Sequence, residues 1–352
     1  MTFKRILRYI VCVMLLMVGF SSASPGLYPR SRSLPDTRPP VRHFATVKLP
    51  RGYHLPGAQS RQYKSSNIVI DLYAMNFSQG MAVYAELYPD PSDSVKTIKI
   101  KKLLFEERRI PVSERSWGYR SLFALSPDKA PGNRQLSVEY VAGGAHHTAT
   151  FPVPVAATRF KFSPHALDLG KYSNIDYRPA PEEIRFINEC ARKKKKAFSR
   201  AGSDELNGSL SHPRDYHFVT SPFYSKRMIM RYRKAKGKKI RHGDKLNVHR
   251  GIDLRGKKGE PLFAMASGTV AIAEKMYYEG NFIVIDHGNR IFTCYMHCDK
   301  LNVRAGERVE AGAGIGLVGS TGLSTASHLH VSLFLQDVPV DPLSMLVLPV
   351  RD

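Results

Sequence analysis

The chain has 352 residues, a formal net charge of +23 and 43% hydrophobic residues. That length leaves room for two modest domains or one large one, and the hydrophobic share excludes a disordered tail protein. Four cysteines, one of them in the first apolar stretch, exclude a disulfide scaffold.

The first element is "MTFKRILRYIVCVMLLMVGFSSASPG". Lys4, Arg5 and Arg8 precede an apolar run from Tyr9 to Phe20, and Ser21 to Ala23 supply small residues for cleavage. This layout reads as a signal peptide over 1–23. The apolar run is shorter than the ~20 residues a membrane-spanning helix needs, and Val11 is too bulky to precede a lipidated Cys12. The expectation is an exported protein, periplasmic, envelope-associated or secreted. Its mature form would retain Cys190, Cys294 and Cys298, an odd number.

Residues 24–62 are rich in Pro, Arg and Ser and read as a flexible leader. Across 63–160, short apolar runs such as "NIVIDLYAM", "MAVYAELY" and "RQLSVEYVAG" alternate with turns. That spacing predicts a β-sandwich-like accessory domain. His146 and His147 follow Gly143 and Gly144 and belong to a turn. The segment 161–215 reads as a helical linker. Its "PAPEEIRFINECARKKKKAFSR" has Pro and Glu at the start, lysines at the end, and Ile184, Ile187 and Ala191 on one face. Cys190 on this helix reads as a small buried hydrophobe. Residues 216–352 bring further short strands punctuated by Gly and Asn, a compact antiparallel β domain.

Basic residues cluster. Between Lys226 and Lys258 fourteen Lys or Arg face two acids, Asp244 and Asp253, and a second run is "ARKKKKAFSR". Such surface attracts polyanions. For an exported chain the expected partners are anionic envelope polymers, with peripheral envelope contact through the basic segments, rather than nucleic acid.

Three stretches carry the chemistry. In "HLHVSLFL", strand alternation puts His328, His330, Ser332 and Phe334 on one face, opposite Leu329, Val331, Leu333 and Leu335. In "VHRGIDLRG", Gly251 and Gly256 argue against a long helix, so a tight loop running into a strand must bring His249 and Asp253 together. A carboxylate, two imidazoles and a water suit the tetrahedral N/O preference of catalytic zinc. In "RIFTCYMHCDK", plain alternation puts Tyr295 and His297 on one face and Cys294, Met296 and Cys298 on the other. Those two cysteines would lie about 13 Å apart along a strand, too far for a disulfide.

His249-x-Gly251-x-Asp253, Tyr295-x-His297 and His328-x-His330 stand in the order and spacing of the lysostaphin/LytM-type zinc endopeptidases, which residues 216–346 resemble. The upstream β unit and helix also look like the accessory region of exported bacterial members. The resemblance implies a mainly β fold with an N-terminal β-sandwich-like accessory domain, a linking helix and a C-terminal antiparallel β LytM-type peptidase domain. It implies one zinc per chain held by His249, Asp253 and His330. His297 and His328 would be catalytic imidazoles, His297 as general base with His328 as partner. It further implies peptidoglycan as substrate, hydrolysed at peptide bonds of stems or cross-links. The alternative is a noncatalytic peptidoglycan-binding activator of other wall hydrolases, although degenerate relatives of that kind lose metal ligands. The chain departs from the family pattern at Ser327, where Pro is common, and at Val331-Ser332, where "HFE" is usual. It also lacks the Tyr that some members place shortly before the first ligand, for which His242 or Tyr232 would have to substitute. The segment Lys226 to Leu246 looks expanded and is expected to form a basic loop beside the groove.

Overall fold

The computed structural model describes residues 47–51, 53 and 56–352. The signal-peptide reading of 1–23 and most of the 24–62 leader lie outside the described residues. The first unit contains β1 (Gln59–Ser65), β2 (Ile68–Ala74), β3 (Ala82–Pro89), β4 (Ile98–Phe105) and β5 (Arg108–Ile110). It continues with β6 (Ser113–Arg115), β7 (Gly118–Ala124), β8 (Gly132–Ala142) and β9 (Ala145–Val155). They form two antiparallel sheets, ordered β1-β2-β3-β7-β6 and β5-β4-β8-β9. Alternation builds them: along β8, Leu136, Val138 and Tyr140 are buried while Ser137 and Glu139 are not. Phe105 and Phe123 meet between the sheets with ring centroids 4.8 Å apart. His146 and His147 fall on β9, just past the Gly143–Gly144 turn.

The next segment holds β10 (Phe162–Leu167) and α1 (Pro181–Phe198). Pro181 opens α1, Glu182 and Glu183 occupy its first turn, and Glu183 Oε2 accepts from the backbone N–H of Ala180 at 3.1 Å. Lys195 and Lys196 close it, so the charges oppose the helix dipole at both ends. Cys190 and Ala197 are the side chains it buries, against a cluster containing Ile272, Phe282, Cys294 and Met296.

The C-terminal unit runs through β11 (Val219–Ser221), β12 (Lys226–Ala235), β13 (Lys238–Val248), β14 (Ile252–Arg255) and β15 (Pro261–Phe263). It then adds β16 (Gly268–Met276), β17 (Gly280–Asp286), β18 (Ile291–Cys298), β19 (Lys300–Leu301) and β20 (Arg308–Val309). The last elements are β21 (Gly314–Leu317), β22 (His328–Leu335), β23 (Val338–Val340) and the short α2 (Pro342–Met345). The principal sheet is ordered β11-β14-β22-β18-β17-β16-β20, with β23 paired to β22. The fold is mainly β, as the alternation and the resemblance imply.

The expected basic loop at 226–246 is instead a β-hairpin, β12–β13, whose first strand pairs in parallel with β10. Lys236 and Gly237 turn it with φ of 48° and 74°, the positive-φ pair that suits a two-residue hairpin connection. The sequence hides this because its charges obscure the period of two. Among the described residues the three cysteines, Cys190, Cys294 and Cys298, are buried free thiols. Among the described residues no helix is long and apolar enough to cross a membrane. One hydrophobic core extends through both units, from Ile68 and Phe123 to Leu254 and Leu343.

Candidate metal centre

β14 and β22 pair antiparallel with Asp253 opposite His330, so their side chains emerge on one face of the sheet. His249 arrives from the end of β13, where its N–H donates to Ser225 O and its O accepts from Tyr224 N. Gly251 explains the tightness of this loop. A Cβ there would stand 2.3 Å from Val331 O and 2.6 Å from the His330 ring.

The donors form a small triangle. His249 Nε2 lies 3.1 Å from Asp253 Oδ1 and 3.0 Å from His330 Nδ1, and the last two atoms are 2.9 Å apart. Tetrahedral bonds of about 2.0–2.1 Å place neighbouring donors about 3.3 Å apart, so the set fits a small divalent cation. Each imidazole is fixed through its other nitrogen: His249 Nδ1 lies 3.2 Å from both Ser221 Oγ and Pro222 O, and His330 Nε2 lies 2.8 Å from Ser332 Oγ. Burial opposes charge on Asp253, yet the adjacent His249 and the hydrogen bonds from His249 and His330 hold its carboxyl well below the usual range. Burial lowers His330 to about 4 against the pull of Asp253. An ionised carboxylate beside a neutral imidazole is ready for a cation.

His297 and His328 complete the cluster, with ring centroids 5.2 Å apart and His297 6.4 Å from His330. His297 Nδ1 lies 2.8 Å from Thr321 O, and His328 Nδ1 lies 2.7 Å from Ala326 O. Carbonyls accept only, so both Nδ1 atoms carry the proton and both Nε2 atoms present a lone pair. Those two Nε2 atoms are buried without a hydrogen-bond partner, His328 Nε2 lying 3.8 Å from Asp253 Oδ1. Burial, then the neighbouring His328 and His330, lowers His297 to about 3; burial also lowers His328. Both rings are neutral near pH 7.

One expectation is corrected here. Tyr295 and His297 do not share a face. Tyr295 pairs with Val331 and faces the main core, its hydroxyl accepting from Met265 N at 2.8 Å, whereas Met296 pairs with His330. Plain alternation would send His297 to the Tyr295 side, away from the other histidines. Its φ of 63° breaks the alternation and swings the ring across. The same break moves Cys298 into the main core with Tyr295, while Cys294 and Met296 pack towards α1.

Sequence reasoning missed Arg227. It is buried on β12, its Nη2 lies 3.6 Å from Asp253 Oδ2 and donates to Ser221 Oγ, and its Nη1 has no partner. Among so many surface cations nothing in composition distinguishes it; only its alternation with buried Ile229 and the exposed residues beyond could have done so. Neither proposed replacement for the missing Tyr stands ready for that role: Tyr232 donates its hydroxyl to Gly170 O at 2.9 Å, and His242 is exposed on β13. Ser327 Oγ, where the family pattern favours Pro, is another buried atom without a partner.

Comparison with known proteins gives the class. Residues 247–342 match Peptidase family M23. A crystal structure of a peptidase M23 from Pseudomonas aeruginosa shares the fold, with a TM-score of 0.51 at 19% identity over 78% of this chain and 96% of that one. The chain thus carries a peptidase domain of the M23, lysostaphin/LytM type. Among curated relatives, the peptidoglycan DD-endopeptidase ShyB of Vibrio cholerae is 31% identical over 160 residues, 46% of this chain and 33% of ShyB. ShyA of the same organism is 39% identical over 93 residues, 26% of this chain and 22% of ShyA. The chain spans a third or less of the length of these relatives.

Proposed function

We propose that this chain is an exported zinc metalloendopeptidase that hydrolyses peptide bonds in peptidoglycan stems or cross-links, with D-Ala–diaminopimelate cross-links as the expected target. The observation that carries this reading is the meeting of three donor atoms with two Nε2 lone pairs free of hydrogen bonds in one buried cluster. The names of ShyB and ShyA support peptidoglycan as the substrate class, and the layout of residues 1–23 supports export.

His249, Asp253 and His330 would hold the metal. Bound zinc supplies Lewis acidity, lowering the pKa of the attacking water and polarising the scissile carbonyl. The protein's own groups handle the proton. His297 Nε2, unprotonated and held by the Nδ1–Thr321 bond, accepts it from the water as general base. His328, held in the same tautomer by Ala326 O, is the partner imidazole and acts on developing charge or the leaving amine only once protonated, so the proton that His297 takes from the water is the one returned to the amine. Burial excludes bulk water and strengthens these interactions.

The test is digestion of purified sacculi with product analysis by mass spectrometry, alongside metal analysis. About one zinc per chain, cleavage at a peptide bond, and loss of both in His249→Ala are the expected results. Full activity in that variant would sink the assignment, and a zinc-free protein that binds sacculi without cutting them would favour the noncatalytic role.

A further inference from the structure

We infer that the outer face of the β10-β12-β13 sheet is a docking surface for an anionic phospholipid bilayer. Pairing fixes which side chains share that face. Phe162 stands beside Lys226, Met228 beside Leu246, and Met230 beside Asp244. The opposite face belongs to the protein body: Arg227 reaches Asp253, and Ile229 is 4% exposed. A solvated face of an antiparallel hairpin is normally polar. Here Phe162 is 54% exposed and Leu246 50%; Ile240, 56% exposed, lies on the same hairpin beyond the register shift at Met230 and Tyr232, where it pairs with Arg233. These are three of the five exposed large hydrophobics among the described residues. Neither they nor the half-buried Met228 and Met230 belong to a hydrophobic core.

The charge on the same hairpin is one-sided. Between Lys226 and Val248 ten Lys or Arg accompany a single acid, Asp244. Arg233, Lys239 and Arg241 pair with Asp176, Asp168 and Asp244. Among the described residues, Arg231, Lys234, Lys236 and Lys238 form no ion pair and project around the turn.

Lysines on an edge strand have an ordinary role, to discourage pairing with another chain. That role explains the charges on β13 but not the exposed Phe162, Leu246 and Ile240, which oppose it. An anionic polysaccharide would satisfy the cations and leave the apolar side chains in water. A bilayer satisfies both, taking the rings and alkyl groups at the acyl boundary and the cations among phosphates. The combination of exposed apolar side chains and unpaired cations therefore selects lipid. The inference rests on neither the metal centre nor the proposed reaction.

The experiment is co-sedimentation of the full chain with vesicles of phosphatidylcholine alone or mixed with phosphatidylglycerol. Binding is expected only to the mixed vesicles. Phe162→Ser with Leu246→Ser should weaken it about tenfold, and Lys234→Gln with Lys236→Gln and Lys238→Gln by about fivefold per charge at low salt. All these residues are exposed, so the melting temperature should stay at the wild-type value. The proposal is overturned if mixed vesicles are not bound, if phosphatidylcholine alone is bound equally, or if the Phe162/Leu246 variant binds as wild type. The last outcome would leave a charge-only polyanion surface.

Discussion

Ser332 stands two residues beyond His330, where the family pattern carries Glu, and its Oγ lies 2.8 Å from His330 Nε2. That contact holds the ring so that Nδ1 faces Asp253 Oδ1 at 2.9 Å. Partners of this kind orient a metal-binding imidazole, and their loss typically costs 10- to 100-fold in metal affinity. Ser332→Ala should therefore weaken zinc binding by about 10-fold or more, measured by competition with a chromophoric chelator, and excess zinc should restore activity. An unchanged affinity would show that strand pairing alone fixes the ring. Gly251 illustrates the same economy of space: the backbone of one ligand loop lies against the ring of another ligand, and a single methyl would separate them.

At the scale of elements, the question is how a strand delivers His297 to the wrong side of its own pleat. β18 loses its register against β17 between Asn281 and Ile283, and His297 takes a φ of 63°. Such a conformation needs outside support. His297 N–H donates to Glu279 O at 2.8 Å, and Thr321 Oγ1 both donates to Cys298 O and accepts from Asn281 N, at 2.8 and 2.9 Å. Thr321 O accepts from His297 Nδ1. Gly280 permits the approach, since a Cβ there would lie within 2.5 Å of Thr321 backbone atoms. Thr321→Val keeps the shape and removes both hydroxyl bonds. It should lower kcat by about 10- to 100-fold, as small misplacements of a catalytic group do, while zinc content remains that of the wild type. Loss of zinc together with activity would count against this positioning role. The same element shows what the sequence made legible. The HxGxD and HxH spacings placed three donors because Gly251 and an uninterrupted β22 leave the chain little choice. The side of the sheet on which His297 lies was not legible, because a positive φ at a non-glycine residue is imposed by contacts with Glu279 and Thr321, distant in sequence. The β12–β13 hairpin was missed for a related reason: a strand exposed on most of its length has no apolar alternation to read.

At the scale of the molecule, the accessory and peptidase units do not behave as beads on a tether. The hydrophobic core is continuous between them, and Ala82 N–H donates to Ser344 Oγ at 3.0 Å across the junction. Arg120, on β7, is the main polar clasp. Its side chain is fully buried, Nε donates to Asp204 Oδ2 at 2.8 Å, and its two terminal nitrogens donate to Arg351 O and Leu206 O. These partners lie in the segment leading to the peptidase strands and at the C-terminus, so one guanidinium ties three stretches of chain. Replacing one member of a buried pair is costly because the other keeps its charge without compensation, about 3–5 kcal/mol. Asp204 also receives Arg115 at 2.9 Å, which moderates the loss, so Arg120→Ala should cost about 3 kcal/mol in urea unfolding. Asp204→Asn keeps the donors to Leu206 O and Arg351 O but leaves the buried Arg120 guanidinium without its carboxylate, so it should be destabilising by a similar amount. Because the core is shared, the wild type should unfold in one cooperative calorimetric transition. Two separated transitions, with Arg120→Ala shifting neither, would show that the units fold independently and that the clasp contributes nothing to joining them.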